Sequence, residues 1–196
     1  MSEAMDRFIG EVREIVCEGG SEEETTAKVA ERLRPALDAP DLLSPDQLLV
    51  KRGGFTLNRV HIEPDDSFSI GVGIWDVGET TPIHDHGTWG VIGIYRGTER
   101  EESFLREGSR VMEGTVRIAP DGTRLAGAGD VFICCTTDQD VHRVSCASDE
   151  PVVSIHVYGG DLAKIPRLKY DLETGAVTRF NTGWDYARKS ESGASS

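Results

Sequence analysis

Residues 78–97 read GETTPIHDHGTWGVIGIYRG, and their central feature is the pair His84 and His86, separated by Asp85. Side chains two apart on an extended chain project from the same face, so both imidazoles can reach one ion without distorting the backbone. The chain holds only five histidines, at 61, 84, 86, 142 and 156. His142, within Asp140-Val141-His142-Arg143-Val144, lies several strands later, and in a closed barrel it can stand opposite the pair. Taken alone, an H-x-H pair is equally compatible with ordinary surface or core histidines.

Around this stretch, from Phe55 onward, short runs rich in Val, Ile, Phe and Tyr are punctuated by Gly, Asp and Pro. This texture predicts strands at 55–62, 67–76, 89–95, 100–107, 114–118, 130–134, 141–146 and 151–158. Glu63-Pro64-Asp65-Asp66 and Pro120-Asp121-Gly122 read as turns between them. So many short strands imply a sandwich or a closed barrel. Before residue 51 the pattern is helical. Met5, Phe8, Ile9, Val12, Ile15 and Val16 recur at three- and four-residue intervals over 3–17, and Gly19-Gly20 stops that helix. Ser21 with Glu24 forms a capping box for a second helix bearing Val29, Ala30, Leu33 and Leu37, which ends by Pro40. Ser44-Pro45 predicts one more short helical turn. The organisation expected is a helical segment (1–50) packed on a β domain (51–188), followed by a polar, disordered tail (189–196).

The 196 residues, 38% hydrophobic and 28% charged, fit one globular domain. A formal charge of -13 disfavours nucleic acid and anionic lipid as partners. The acidic N-terminus has no secretory pattern and no apolar run approaches roughly 18 residues, so a soluble cytoplasmic protein is expected. Cys17, Cys134, Cys135 and Cys146 contain no C-x-x-C pair and suit reduced thiols. Cys134 and Cys135 would point to opposite faces of a strand, one into the core.

The spacing Gly78, five residues, His84-x-His86, three residues, Gly90, six residues, Gly97 resembles the first cupin motif, with Gly90 where that motif carries Glu. The second motif is present only as Gly129-Asp130 ahead of His142. Three neutral imidazoles without a carboxylate leave a dication its full charge and, if six-coordinate, three open positions, an arrangement suited to anionic ligands. Thiolate on Fe(II) satisfies it. Three His plus water is also a hydrolytic zinc arrangement.

From Phe55 to Tyr158 the chain is similar to the cysteine dioxygenase family, which includes bacterial 3-mercaptopropionate dioxygenases. The similarity is densest in Pro82–Gly97 and in Ser154-Ile155-His156-Val157-Tyr158. The resemblance implies a cupin jelly-roll barrel and Fe(II) held by His84, His86 and His142. It also implies a relay of Ser154, His156 and Tyr158, and oxidation of a small thiol by O2. Alternation along one strand gives that relay physical sense, since all three side chains share a face. A bland reading is that they only satisfy one another's hydrogen bonds.

Two departures from the family pattern bear on chemistry. Residues 87–94 contain no Cys, so the tyrosine crosslink of the mammalian enzyme is not expected on Tyr158. Leu57 stands where cysteine dioxygenases place an Arg for the substrate carboxylate, which leaves Arg59, two residues on, and Arg167 as candidates. Either Arg could equally be a surface charge. Trp75, Trp89 and Tyr95 are expected in the core, and His61 in a structural or surface role. The rival readings are a cupin that binds a metal or small ligand without turnover, and a zinc hydrolase. Which thiol is used and the oligomeric state stay open.

Overall fold

The computed structural model describes residues 1–50, 54–135, 137, 140–181 and 183–185, so the tail expected at 189–196 lies outside the described residues. Helix α1 spans Glu3–Glu18 and α2 spans Glu22–Leu37, with a 3-10 turn at Pro45–Leu48. The ends follow from the local sequence. Ser2 Oγ accepts from the Met5 amide at the start of α1, and Gly19, at φ 72° and ψ 171°, ends it in a backbone conformation that favours glycine. Ser21 and Glu24 cap α2 reciprocally. Each such N-cap is worth about 1 kcal/mol.

Eleven strands follow among the described residues: β1 (Phe55–Ile62), β2 (Ser69–Trp75), β3 (Gly90–Arg96), β4 (Thr98–Arg106), β5 (Gly114–Thr115), β6 (Ile118–Gly127), β7 (Val131–Cys135), β8 (His142–Cys146), β9 (Val152–Tyr158), β10 (Arg167–Tyr170) and β11 (Ala176–Phe180). One antiparallel sheet has the order β1-β2-β9-β3-β7, and the second comprises β6-β4-β8 and β10-β11-β5. The segment before β3 joins the halves of the second sheet: His84 bridges both His142 of β8 and Lys169 of β10. The fold is therefore the mainly β, cupin-type barrel with an N-terminal helical segment.

The two faces of the first sheet have different chemistry. Ile70, Val72 and Ile74 of β2 and Val153, Ile155 and Val157 of β9 pack with Met5, Phe8, Val12, Val29 and Leu33 of the helices in the main core. The alternate residues, Gly71 and Gly73 of β2 and Ser154 and His156 of β9, face one another across the register on the barrel side. Both faces being covered explains why β2 and β9 are buried throughout. A Cβ on Gly73 would lie 2.6 Å from His156 Nε2 and 2.7 Å from the Trp75 ring, so only glycine leaves room for that imidazole.

Three expectations change. Pro120-Asp121-Gly122 is not a turn between strands: β6 runs through it, with a register shift opposite Ser103/Phe104 of β4 that absorbs the proline. The strand expected at 114–118 shortens to two residues. The pair β10-β11 was not anticipated, because Arg167-Leu168-Lys169-Tyr170 is too short and too charged to display a strand period.

Candidate metal centre

His84 and His142 form a hydrogen-bonded antiparallel pair, each backbone amide donating to the other's carbonyl at 2.9 Å. Opposed residues of such a pair present their side chains on one face, and His86, two residues on, joins them. The ring centroids stand 5.0 Å (His84–His86), 4.7 Å (His84–His142) and 4.9 Å (His86–His142) apart. All three are buried, and one nitrogen from each lies within 4.8 Å of the others.

The hydrogen bonds orient the rings as metal ligands require. His84 Nδ1 lies 2.8 Å from the Pro82 carbonyl and His142 Nδ1 lies 2.7 Å from Glu101 Oε1. Each Nδ1–H therefore donates outward and leaves Nε2 with its lone pair. His142 Nε2 is a buried polar atom with no hydrogen-bond partner, and His86 turns Nδ1 toward Asp140 Oδ2 at 4.0 Å. Burial first, and then the Arg167 guanidinium, push His84 and His86 well below the ordinary imidazole pKa, which keeps them neutral. Three buried imidazoles that bring one nitrogen each within 4.8 Å of the others fit a divalent ion, and no carboxylate belongs to the set.

Carboxylates hold the site from behind. Asp85 is fully buried and accepts from Arg110 Nε (2.7 Å), the Leu168 amide (2.7 Å) and Tyr170 Oη (2.9 Å), fixing the turn between the two ligands to β10. Asp140 accepts from the His86 and Gly87 amides at 2.5 and 2.9 Å. Burial pushes its pKa up to about 6. Glu101 is held between His142 and Arg124. Burial alone would raise its pKa, but these partners bring it below the usual carboxylate value.

Ser154, His156 and Tyr158 form a chain. Ser154 Oγ lies 2.8 Å from His156 Nε2, His156 Nδ1 lies 2.8 Å from Tyr158 Oη, and Tyr158 Oη approaches His86 Nε2 at 3.3 Å. Burial lowers the pKa of His156 to about 3, so the ring is neutral. The ring stacks on Trp75 with centroids 5.5 Å apart. Trp75, expected simply as core, thus also lines the cavity over the triad, together with Phe55, Ile92, Glu99 and Cys134.

The two candidate arginines are placed differently. Arg167 is buried at the start of β10, donates from Nε to the Asp85 carbonyl at 3.0 Å, and lies over Phe180, whose ring centroid is 5.9 Å from that of His84. Arg59 is half-buried on β1 opposite Gly71, and no contact with the triad is seen among the described residues. His61 pairs with Glu63 at 2.8 Å, the structural role expected of it. Sequence reading missed Asp85, Glu99, Glu101 and Asp140. The one available signal was the alternation of Glu99 and Glu101 on β4, the strand that pairs with the one carrying His142.

No protein-family model matches the chain. Among solved structures, it is similar to the cupin domain of a Schizosaccharomyces pombe protein at 15% identity and a TM-score of 0.41, covering 55% of this chain and 61% of that one. The chain thus spans less than two thirds of that relative. A conserved Klebsiella pneumoniae protein with a double-stranded β-helix domain matches at 14% identity and a TM-score of 0.46, over 67% of this chain and 93% of that one. An RmlC-like cupin from Ralstonia eutropha matches at 16% identity and a TM-score of 0.42, over 74% and 71%.

Proposed function

We propose that this protein is a non-haem Fe(II) thiol dioxygenase that converts a small mercapto-carboxylate, 3-mercaptopropionate or L-cysteine, with O2 into its sulfinate. The observation that carries the reading is the approach of Tyr158 Oη to His86 Nε2 at 3.3 Å, at the end of the chain from Ser154 through His156. Holding an ion requires the three imidazoles only. A hydrogen-bonded chain that ends on the metal pocket is what proton control during turnover requires.

His84, His86 and His142 would hold the iron, which would supply the redox chemistry that a thiol and triplet O2 do not perform unaided. The reaction balances as RSH + O2 giving RSO2⁻ and H⁺. The protein's part is binding, orientation and placement of that proton. A carboxylate-free ligand set leaves the cation uncompensated and favours the substrate as thiolate. Tyr158 directs its hydroxyl to the ligand side, and His156 and Ser154 fix its direction. Arg167, buried and bonded to the carbonyl of Asp85 between the two ligands, is the favoured cation for the substrate carboxylate, with Arg59 the alternative. A cytoplasmic setting, where thiols and Fe(II) stay reduced, suits this chemistry.

The test is an oxygen electrode with iron-loaded protein and a panel of thiols, with sulfinate identified by mass spectrometry. Oxygen uptake with 3-mercaptopropionate or L-cysteine, stoichiometric with sulfinate, is expected. Iron retention without uptake would make the chain a metal-binding cupin. Turnover with zinc and no oxygen consumption would make it a hydrolase.

A further inference from the structure

The relay does not end at Ser154. Ser154 Oγ stands 3.4 Å from Glu99 Oε2 on β4 and 2.8 Å from His156 Nε2. A serine hydroxyl has one proton and so can donate to only one of these neighbours at a time. Glu99 is 3% exposed and lines the same cavity as the triad, with no Lys or Arg bonded to it among the described residues. The mechanism proposed above gives it no role, yet a carboxyl group is costly to bury without one.

We propose that Glu99 is the proton-holding terminus of the Ser154–His156–Tyr158 chain and that its protonation state selects the tautomer of His156. With Glu99 protonated, its O–H donates to Ser154 Oγ, Ser154 O–H to His156 Nε2, and His156 Nδ1–H to Tyr158 Oη. The tyrosine O–H is then free to point at the ligand side. When Tyr158 gives up that proton, each member passes one along: Tyr158 regains a proton from Nδ1, Nε2 takes the serine proton, and Ser154 takes the proton of Glu99. One proton has arrived beyond Tyr158 and one has left Glu99, with His156 neutral throughout and no change in oxidation state. The reverse sequence stores a proton taken from a thiol. The proton role rests on the dioxygenase reading; the coupling of Glu99 to His156 does not.

The surroundings suit such a store. Burial, then the Glu101 carboxylate two residues away on the same strand, push the Glu99 pKa up to about 8, against smaller opposing effects of the Ser154 hydrogen bond and of Arg124 on β6. His142 of β8 and His156 of β9 line the same cavity, and Cys134 of β7 completes it. Cys146, opposite Glu99 on β8, spends its thiol on the Ser148 and Glu150 carbonyls. A group titrating near neutrality holds and releases a proton at small cost. Glu99 acts through Ser154 and His156 and is a positioning residue.

The test is ¹⁵N NMR of histidine-labelled, metal-free protein, which reads the His156 tautomer without requiring turnover. The Nδ1–H form is expected at low pH and the Nε2–H form at high pH, with a midpoint near the Glu99 pKa of about 8. In Glu99→Gln the amide donates permanently to Ser154, so His156 stays in the Nδ1–H form at every pH. Ser154→Ala, which cuts the link while leaving Glu99 in place, should likewise abolish the switch. A wild-type tautomer that does not change with pH, or one that changes identically in Glu99→Gln, overturns the inference. In the iron-loaded enzyme the kcat profile of Glu99→Gln should lose its inflection near 8, with KM unchanged; an unaltered kcat profile also overturns the inference. Absence of oxygen uptake by the wild type would refute the dioxygenase reading and leave the NMR result standing.

Discussion

His142 Nδ1 lies 2.7 Å from Glu101 Oε1, although 41 positions separate the two residues. The contact commits Nδ1 and so leaves Nε2 as the nitrogen that would bind the metal. Arg124 holds the other carboxylate oxygen of Glu101, so the orientation is passed from β6 through β4 to β8. The triad therefore depends on a second layer of residues as well as on three imidazoles.

Glu101→Gln should keep the fold and weaken metal binding by roughly ten- to a hundredfold, as outer-shell partners of ligating histidines do. Competition against a chromophoric chelator measures it. His142→Ala should lose the metal outright, and full iron content in that variant would show that the third ligand lies elsewhere.

Tyr158→Phe should retain iron and fold while lowering turnover by roughly ten- to a hundredfold, because the ring stays and only the hydroxyl at the end of the chain goes. His156 variants should behave alike. Single-turnover rates equal to wild type would reduce the chain to a packing feature.

Specificity is the boldest expectation. With Leu57 buried beside Tyr158 and Leu162, β1 offers an apolar surface where a carboxylate anchor was expected from the family pattern. 3-Mercaptopropionate should therefore be used at least as well as L-cysteine. Arg167→Ala should raise KM by about a hundredfold, the size expected for truncating one partner of a desolvated Arg–carboxylate pair, while Arg59→Ala changes little. A preference for cysteamine, which has no carboxylate, would refute the assignment.

Burial of Glu99 also has a stability signature. Its pKa is 4.5 in a reference chain and about 8 in the folded protein. Between those values the native state holds the extra proton, so the stability of metal-free wild type falls as pH rises through that window. The fall is a few kcal/mol at most, at about 1.4 kcal/mol per unit. Glu99→Gln carries no such titration. Its melting temperature should gain on wild type steadily from pH 5 to pH 8, and a pH-independent difference would show that Glu99 is not buried as an acid.

Much of this architecture was legible in one dimension. The runs of Ile and Val in β2 and β9, the helix period of residues 3–17 and the capping residue Ser21 are local signals, because strand and helix periods are set by bonds between near neighbours. The H-x-H pair and Ser154-x-His156-x-Tyr158 were visible for the same reason: residues two apart on an extended chain must share a face. What the sequence could not determine was which distant residues complete those faces. Glu101 on His142, Asp85 on β10, Arg167 on the Asp85 carbonyl and Glu99 beyond Ser154 are pairings between strands, and strand register is decided only when two sheets close over a common interior. In that dry interior an imidazole, a hydroxyl and a carboxyl must find one another, and those non-local pairings make the histidines a candidate metal centre.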